Sequence, residues 1–470
     1  MAETIHMMGI CGTAMGSLAG LLKEMGYNVR GSDQNVYPPM STQLEALGIH
    51  IMNGYDPENL TPRPDKVIVG NVMSRTHSEV QALLKTNISY MSLPQAMGEY
   101  LIKDRHSVVI AGTHGKTTTT AIAAWVLEQA GLQPGFLIGG VPLNFPQTFA
   151  IGKGNYFVIE GDEYDTAFFD KVPKFIHYRP KSVILTSVEF DHADIYDDLE
   201  AVKKAFVMLL KLIPSQGILL YQAEDENIAS ILKFCTCQNM ESYGAKKGHW
   251  RLGEIRWGET HSEFDVIYKD KKTDTLKTDL FGEYNLLNTL SVYALATHLK
   301  IPTEKIKKAL STFLGVKRRQ EIIGRPGNIT VIDDFAHHPT AVKVTIDGVR
   351  KRFPNSKIFA IFEPRSATSR RKVFQHEFAK SLSTSDELII SEPFDQSKIK
   401  EEDRFSSTDL IKECQKLKKG FRGALSKSTE ETVDLLKNSA KPGDVLLLMS
   451  NGGFGGIYEK LLKELGQHGK

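Results

Sequence analysis

Short apolar runs alternate with helical patterns along most of this chain. The first run, residues 5–8, precedes a glycine-bearing turn, a helical stretch and a second predicted strand at 28–33. Repeated units of strand, helix and strand are typical of an α/β protein with open parallel sheets. The same pattern returns in the middle and the last third of the chain, where strands are predicted at 108–111, 156–160, 183–188, 329–333, 358–362, 387–391 and 445–449.

One segment departs from this pattern. Residues 246–279 contain short alternating stretches that are typical of hairpins, which predicts a small antiparallel excursion in the middle of the chain. The 470 residues are too many for one core, because domains typically hold about 100–200 residues. We therefore predict three domains: a Rossmann-like domain over 1–106, a central P-loop ATPase-like parallel sheet over 107–320, and a Rossmann-like domain over 321–470.

Composition narrows the range of partners. Lys plus Arg total 58 against 56 for Asp plus Glu, and this near-neutral balance argues against nucleic acid as a main partner. No apolar stretch approaches the roughly 20 residues of a membrane span, and the start lacks a signal-like pattern. We expect a cytoplasmic protein without membrane contacts, as a monomer or a weak homodimer. No disulfide framework is expected from the scattered cysteines, Cys11, Cys235, Cys237 and Cys414.

The loop after the strand at 108–111 has the composition of a phosphate-binding loop, Gly-Thr-His-Gly-Lys-Thr-Thr. Gly112 and Gly115 allow backbone N–H groups to approach phosphate oxygens, and the helix that follows adds a favourable dipole. Lys116 neutralises phosphate charge, and the Thr117 hydroxyl can bind magnesium. The loop is a shortened variant of the P-loop, because the first glycine of the general P-loop motif is missing. A nucleoside triphosphate site is predicted, with an ordinary glycine turn as the alternative.

A second glycine-bearing turn follows the first strand. Residues 9–16 resemble a dinucleotide-binding fingerprint, but Cys11 occupies the position of the middle glycine. Asp33 ends the second strand, where a carboxylate can face a sugar-nucleotide hydroxyl or can cap a turn. A nucleotide-like ligand is therefore expected in the N-terminal domain.

Carboxylates follow the two strands that are predicted next along the central sheet. Residues 160–165 are Glu-Gly-Asp-Glu-Tyr-Asp, and residues 189–194 are Glu-Phe-Asp-His-Ala-Asp. Open parallel sheets collect ligands at the carboxyl ends of their strands. These side chains therefore predict a two-metal centre or a metal-plus-base centre, although solvated loop acids are the alternative for any single residue.

Further candidates lie near the boundary between the second and third domains. Asn285 and Asn288 share one helical face and suit an adenine edge, or Asn285 could cap the helix. Arg319, at the end of a Lys-Arg-Arg run, could stabilise the charge of a transferred phosphoryl group or belong to a surface patch. The segment 333–339, Asp-Asp-Phe-Ala-His-His-Pro, is expected to face the nucleotide.

These segments together resemble the Mur ligases, ATP-dependent ligases of bacterial cell-wall synthesis that join a carboxylate to an amine. The resemblance covers essentially the whole chain and implies ATP and Mg²⁺ as cofactors. It is carried by Gly-Thr-His-Gly-Lys-Thr-Thr at 112–118, the acidic segment 160–165, Glu189 with Asp191 and His192, Asn285 with Asn288, and the segment 333–339.

Within the family, the resemblance is to the branch that uses UDP-N-acetylmuramate. The sequences of segments 160–170, 175–180, 362–366 and 449–456 favour members that ligate the murein tripeptide L-Ala-γ-D-Glu-meso-diaminopimelate in peptidoglycan recycling. An arginine cluster that includes Arg365 and Arg370 suits a peptide with several carboxylates, or it forms a solvated helix face. Addition of free L-alanine is the alternative reaction, and a nucleotide-gated regulatory ATPase is a second alternative.

The resemblance, together with the residue patterns for Arg319, Arg365 and Arg370, also implies roles for individual residues. The proposed phosphate-binding residues are Gly112, Thr113, His114, Gly115, Lys116, Thr117 and Thr118, and the metal ligands are Thr117, Glu160 and His192. The proposed catalytic residues are Lys116, Glu160, His192, Arg319 and His337, while Asn285, Asn288 and Asp333 would contact the nucleotide. The sugar nucleotide would contact Gly9, Gly12, Gly16, Asp33, Asn71, Gly139, Gly140 and Asn144, and the peptide would contact Arg365 and Arg370.

Overall fold

The computed structural model describes residues 2–37, 40–193 and 195–468. The chain divides into two compact units. The first contains Met1–Glu189, Glu200–Trp250 and Ser291–Ala309, and the second contains Phe190–Leu199, Arg251–Leu290 and Leu310–Lys470. Strands and helices alternate through both units, which confirms the α/β class. Among the described residues, no helix is long and apolar enough to cross a membrane, and all four cysteines are free.

The N-terminal part of the first unit is a five-stranded parallel sheet with strand order β3-β2-β1-β4-β5. Its strands carry apolar side chains that are fully buried, such as Ile5, Met7 and Val67. This confirms the Rossmann-like architecture predicted here. The elements are β1 (Thr4–Met8), α1 (Thr13–Glu24), β2 (Asn28–Asp33), α2 (Met40–Ala46), β3 (His50–Asn53), β4 (Lys66–Val69), α3 (Ser78–Leu84), β5 (Ser89–Ser92) and α4 (Leu93–Met97).

The central sheet of the first unit contains seven strands in the order β14-β13-β12-β6-β9-β7-β8. All neighbours are parallel except β7 and β8, which form an antiparallel pair. The elements are β6 (His106–Ala111), α5 (Lys116–Gln129), β7 (Gly135–Leu137), β8 (Phe149–Ala150), β9 (Tyr156–Gly161), β10 (Asp165–Ala167), β11 (Asp170–Pro173), β12 (Ser182–Leu185), α6 (Leu199–Leu212), β13 (Ile218–Gln222), α7 (Glu226–Ile231) and β14 (Asn239–Gly244).

The antiparallel excursion predicted over 246–279 is present. Strands β16 and β17 form an antiparallel hairpin whose turn residues, Lys269 and Asp270, have positive φ. The elements of this region are β15 (Trp250–Trp257), β16 (Ser262–Tyr268), β17 (Lys271–Thr278), α8 (Glu283–His298) and α9 (Thr303–Ser311).

The C-terminal part of the second unit is a six-stranded sheet with order β18-β19-β23-β20-β21-β22. Apolar clusters pack against both of its faces. One edge adds a strand that was not predicted, because β18 pairs antiparallel with β19. The elements are β18 (Glu321–Gly324), β19 (Thr330–Asp334), α10 (Pro339–Arg352), β20 (Ile358–Phe362), α11 (Gln375–Leu382), β21 (Glu387–Ser391), α12 (Ser407–Leu417), β22 (Arg422–Ser426), α13 (Thr429–Ser439), β23 (Val445–Met449) and α14 (Ile457–His468).

Candidate functional site

Strand register brings three loops to one edge of the central sheet. Ala111, the last residue of β6, pairs with Leu185 at the end of β12 and with Gly161 at the end of β9. The loop after β6, the acidic loop after β9 and the segment after β12 therefore leave the sheet side by side. This edge is where open parallel sheets bind ligands.

The loop between β6 and α5 has the backbone of a phosphate-binding loop. Gly112 and Gly115 have φ values of 131° and 83°, a region that residues with a Cβ rarely adopt. A Cβ on Gly112 would also overlap the Thr186 hydroxyl. Helix α5 begins at Lys116, directly after Gly115, so its unpaired N–H groups and positive dipole end face the loop.

The segment after β12 holds this loop in place. The N–H of Thr113 donates to the Ser187 carbonyl at 3.0 Å, and the Glu189 N–H donates to the Thr113 hydroxyl at 2.9 Å. The N–H of His114 donates to the Ser187 hydroxyl at 3.0 Å. The strand predicted over 183–188 ends at Leu185; Thr186 still donates to Ala111 at the end of β6, and Ser187 bonds the loop. Sequence reasoning did not single out Ser187.

The side chain of Lys116, the first residue of α5, reaches back to the loop. Its Nζ donates to the Gly112 carbonyl at 2.7 Å and pairs with Glu163 Oε2 at 3.0 Å. Burial disfavours the charged amine, but Glu163, Asp162 and Glu160 outweigh that cost and raise the pKa of Lys116. The lysine is therefore charged and directed by a buried carboxylate. In the sequence, Glu163 is one of several acidic residues after the strand. Nothing in the sequence indicates that it lies beside Lys116.

Two of the three proposed metal ligands meet in the first unit. The Thr117 hydroxyl donates to Glu160 Oε2 at 3.1 Å, and the N–H of Gly139 donates to Glu160 Oε1 at 2.6 Å. Hydroxyl and carboxylate oxygens are the donors that Mg²⁺ prefers, so this pair fits the ion. His192, the third proposed ligand, belongs to the second unit.

The first glycine loop is organised by Asp33. Its Oδ2 accepts the Cys11 N–H at 2.9 Å, and its Oδ1 accepts the Asn35 N–H at 2.9 Å. The turn-capping alternative for Asp33 is thus present in the structure. Gly9 has φ of 79° and donates its N–H to the Ser32 carbonyl at 2.8 Å, so the loop is closed onto the end of β2.

The other proposed sugar-nucleotide residues occupy different environments. Gly12 precedes α1 as its N-cap, whereas Gly16 is buried inside α1, where a Cβ would overlap the Met40 side chain. Gly16 therefore makes room for packing. Asn71 is exposed in the turn after β4. The remaining residues, Gly139, Gly140 and Asn144, lie in the loop between β7 and β8.

In the second unit, Arg318 pairs with the proposed nucleotide ligand Asp333. Arg318 Nε lies 3.2 Å from Asp333 Oδ2, and its Nη2 donates to the Ser450 carbonyl at 2.6 Å. Burial raises the pKa of Asp333, and Arg318 offsets part of that effect. Among the described residues, the buried Oδ1 of Asp333 accepts no hydrogen bond, which leaves an acceptor for a ligand. The Arg319 guanidinium lies 4.8 Å from the centre of the Phe335 ring.

The two asparagines of α8 lie together and are almost fully buried. Asn285 Nδ2 donates to the Phe281 carbonyl at 2.9 Å, and Asn288 Nδ2 lies 3.5 Å from Asn285 Oδ1. Asn285 is the third residue of α8 and its amide donates to a carbonyl, whereas an N-cap residue precedes the helix and accepts an N–H. The capping alternative is therefore wrong.

A histidine cluster surrounds Asp191 in the second unit. Burial opposes ionisation of this carboxyl, but His192, His337 and His338 hold its pKa well below its usual range, and Thr368 donates to it at 2.7 Å. His337 Nδ1 lies 3.0 Å from the Phe335 carbonyl. An ionised carboxylate beside imidazoles is suited to binding cations or orienting protons.

The proposed peptide-binding arginines are already anchored. Arg365 stacks on Phe394 at 4.0 Å from the ring centre and lies 3.4 Å from Glu363. Arg370 donates to the backbone carbonyls of Ser366 and Asp395. These contacts fix the orientation of both guanidinium groups, and those of Arg370 use part of its donor capacity.

Comparisons with known proteins agree along the whole chain. Three family models match in succession: Mur ligase family, catalytic domain, over residues 4–105, Mur ligase middle domain over 110–296, and Mur ligase, glutamate ligase domain, over 318–452. The chain is 42% identical over 462 residues to a UDP-N-acetylmuramate--L-alanyl-gamma-D-glutamyl-meso-2,6-diaminoheptandioate ligase of Escherichia coli, with 98% of each protein covered.

Two solved structures share the fold. A murein peptide ligase from Psychrobacter arcticus is 37% identical, with 99% of each chain covered and a TM-score of 0.71. A UDP-N-acetylmuramate-alanine ligase from Thermotoga maritima is 25% identical, with 99% of this chain and 100% of that chain covered and a TM-score of 0.80. The backbone of the chain is more similar to that of the alanine ligase, as the TM-scores show. Its sequence is more similar to that of the murein peptide ligase.

Proposed function

The chain belongs to the Mur ligase family, and on that premise we propose that it joins UDP-N-acetylmuramate to the free tripeptide L-Ala-γ-D-Glu-meso-diaminopimelate. ATP phosphorylates the lactyl carboxylate and leaves as ADP. The alanine amine of the peptide then attacks the acyl phosphate, forming the amide and expelling phosphate. A carboxylate is a poor acylating agent, and phosphorylation converts one of its oxygens into a leaving group. This reaction recycles wall peptide.

The observation that carries the proposal is the arrangement of Lys116 in the loop after β6. A largely buried, charged amine lies beside the glycine-rich loop at the start of α5, an arrangement suited to polyphosphate. Glu163 holds the amine at 3.0 Å in the present structure. We propose that ATP phosphate oxygens replace part of that pairing, so that binding costs little rearrangement of the lysine.

Magnesium is proposed to bind at Thr117 and Glu160, with His192 as a further ligand. The ion would neutralise phosphate charge and orient the phosphoryl group for transfer. The chain itself holds the Glu160 carboxylate in position through the N–H of Gly139. In the second unit, Asp333, with its open Oδ1, and the pair Asn285 and Asn288 would recognise the nucleoside, while Arg319 and His337 would act on the phosphoryl group or the intermediate.

The choice of acceptor rests on the relatives. The 42% identical protein is a peptide ligase, whereas an L-alanine ligase of Clostridium acetobutylicum is 32% identical over 464 residues. Addition of free L-alanine therefore remains the second candidate. We propose that the enzyme works in the cytoplasm as a monomer or weak homodimer.

An omission series tests the proposal. Purified enzyme is given ATP, Mg²⁺, UDP-N-acetylmuramate and the tripeptide, and then each component is left out in turn while phosphate release and product mass are measured. The proposal predicts that phosphate release requires all four and that the product mass equals the sum of both substrates minus water. Phosphate release without UDP-N-acetylmuramate and peptide would identify a regulatory ATPase instead.

A further inference from the structure

A polar cavity of about 570 Å³ opens in the second unit, and none of the residues that line it has been discussed so far. It lies between the loop 392–406, which joins β21 to α12, and the short helix Lys372–Phe374. The loop has no strand of its own, and long loops of this kind are frequently binding elements. The volume falls within the range of small-molecule sites.

The cavity lies at the ligand-binding edge of the C-terminal sheet. Phe362 pairs with Ile390, and Ser391 pairs with Ser426. The segments that follow β20, β21 and β22 therefore leave the sheet on the same side. Arg365 follows β20, and Phe394, which stacks on Arg365, is the neighbour of Pro393 in the cavity wall. The cavity thus adjoins the proposed peptide-binding arginine.

Hydrogen bonds hold the cavity wall in one conformation. The Gln375 amide donates to the Ser406 carbonyl at 2.8 Å and accepts the Ser406 N–H at 3.0 Å. Gln396 Nε2 donates to the carbonyls of Arg370 at 2.8 Å and Phe405 at 3.1 Å. A wall fixed in this way loses little conformational entropy when a ligand binds.

Charges of both signs line the cavity. Lys372 and Arg404 are cationic, and Glu392, Glu401, Glu402 and Asp409 are anionic. Asp409 pairs with Lys412 at 3.1 Å, whereas within the described ranges the other five side chains form no ion pair. Arg404 Nε donates to the Ile399 carbonyl at 2.9 Å, which anchors its guanidinium at the wall. A ligand with a single charge would meet like charges here, whereas a ligand with an ammonium and a carboxylate would pair with both sets.

Resting on the proposed function, we infer that this cavity binds the zwitterionic end of the third residue of the acceptor peptide. A 2,6-diaminoheptanedioate residue has a side chain that ends in an ammonium and a carboxylate on one carbon. Lys372 and Arg404 bind the carboxylate, and Glu401 and Glu402 bind the ammonium.

The distances agree with this placement. From β20 to β22 there are two strand spacings, about 10 Å, and three extended residues span about 10 Å. A peptide whose first residues lie near Arg365 therefore reaches the cavity with its third. The cavity makes the enzyme select a peptide with a charged, branched third residue.

Three peptides and three variants test the inference. The peptides share L-Ala-γ-D-Glu and end in meso-diaminopimelate, in L-lysine, which lacks the distal carboxylate, or in L-norleucine, which lacks both charged groups. The variants are Lys372→Ala, the double variant Glu401→Gln with Glu402→Gln, and the control Lys416→Ala, whose exposed side chain lies near the far end of α12. Phosphate release gives kcat and KM for each combination of enzyme and peptide.

We expect Lys372→Ala to raise KM for the diaminopimelate peptide about tenfold, with kcat within about twofold and the lysine peptide unaffected. The double glutamine variant raises KM for the diaminopimelate and lysine peptides but not for the norleucine peptide. Lys416→Ala changes none of these constants, and KM for ATP stays constant in all variants.

The outcomes separate this inference from the proposed function. Suppose that the wild-type enzyme uses the diaminopimelate peptide and that the cavity variants have the same relative KM values for the three peptides as the wild type. The inference is then overturned and the proposed function stands. An equal loss with all three peptides would also overturn it, because that result indicates a general structural effect. If the wild-type enzyme uses no peptide, the proposed function fails and the inference fails with it.

Discussion

At the scale of single residues, the loop after β6 is held by partners that come from neighbouring strands. Gly112, Gly115 and Lys116 are recognisable in the sequence because phosphate binding imposes their types at fixed spacing. The residues that support them carry no such signal. Ser187 fixes the loop through its carbonyl and hydroxyl, and a serine that follows a strand is ordinary. Glu163 becomes the partner of Lys116 only through the register of β6 and β9.

The first prediction concerns the Lys116 and Glu163 pair. Replacing Lys116 with Met leaves the Glu163 carboxylate, whose side chain is 2% exposed, without its cation. We expect loss of turnover and a free energy of unfolding lower by about 3–5 kcal/mol. Adding Glu163→Gln should recover most of that stability without restoring turnover. Urea unfolding and phosphate release measure the two effects, and a double variant as unstable as the single one would show that the pair is not the cause.

The second prediction concerns pH and Asp386. Burial opposes ionisation of this carboxyl, but the Ile358 N–H, at 2.8 Å, and the Arg350 guanidinium outweigh it and lower its pKa below 3.8. A depressed carboxyl pKa stabilises the fold above about pH 4 and ceases to do so as pH falls through the folded pKa. Asp386→Asn should therefore cost about 1 kcal/mol at pH 7, a modest value because the side chain is partly exposed.

The measurement for Asp386 is the free energy of unfolding in urea at pH 7, 5, 4 and 3. The difference between wild type and variant should be constant from pH 7 to 5 and should shrink at pH 4 and 3. An equal difference at pH 7 and pH 3 would show that the charge of Asp386 does not contribute.

At the scale of elements, periodicity predicted the strands that lie inside the sheets. Strands β20, β21 and β23 have the predicted bounds because continuous apolar runs are buried on both faces. The strands at the edges of the C-terminal sheet were not predicted. Strand β22, Arg422–Ser426, is an edge strand with one buried residue in its run, and such a segment has no apolar pattern to find. The antiparallel pairing of β18 depends on chain direction, which local pattern does not encode.

The third prediction concerns the packing of two short helices in the first unit. Helix α4 continues as a π-helix, Gly98–Ile102, and a Cβ on Gly98 would overlap the His177 carbonyl of the 3-10 helix Lys174–Tyr178. We expect Gly98→Ala to destabilise the first unit by about 1–3 kcal/mol, because backbone cannot move aside as a flexible side chain can.

Gly466→Ala is the matched control. Gly466 lies in α14 and is exposed, and the position that a Cβ would occupy there has no neighbouring heavy atom within 4 Å. The substitution should therefore raise stability by up to about 1 kcal/mol through helix propensity. Calorimetric transition midpoints measure both effects. A lower midpoint for both variants would mean that the Gly98 contact is not the source of the loss.

At the scale of the whole molecule, the chain combines a Rossmann-like parallel sheet, a central sheet that carries the glycine-rich loop and a third α/β sheet. The near-neutral charge leaves anionic substrates to local features such as Lys116 and the arginines near β20. Sequence motifs identified the family because the phosphate loop, the acidic segment and the Asn and His clusters occur together in one order. The same motifs say least about the amine acceptor, because two reactions of the family share the same carboxylate substrate and the same protein fold.

The most direct test is the ratio of kcat/KM for L-Ala-γ-D-Glu-meso-diaminopimelate to kcat/KM for L-alanine. Both acceptors are measured with saturating ATP, Mg²⁺ and UDP-N-acetylmuramate, and each product is verified by mass. We expect efficient ligation of the tripeptide and a ratio of at least about 100, the discrimination that roughly 3 kcal/mol of additional transition-state binding supplies. A ratio below one, with UDP-N-acetylmuramoyl-L-alanine as the main product, would refute peptide ligation as the function of this chain.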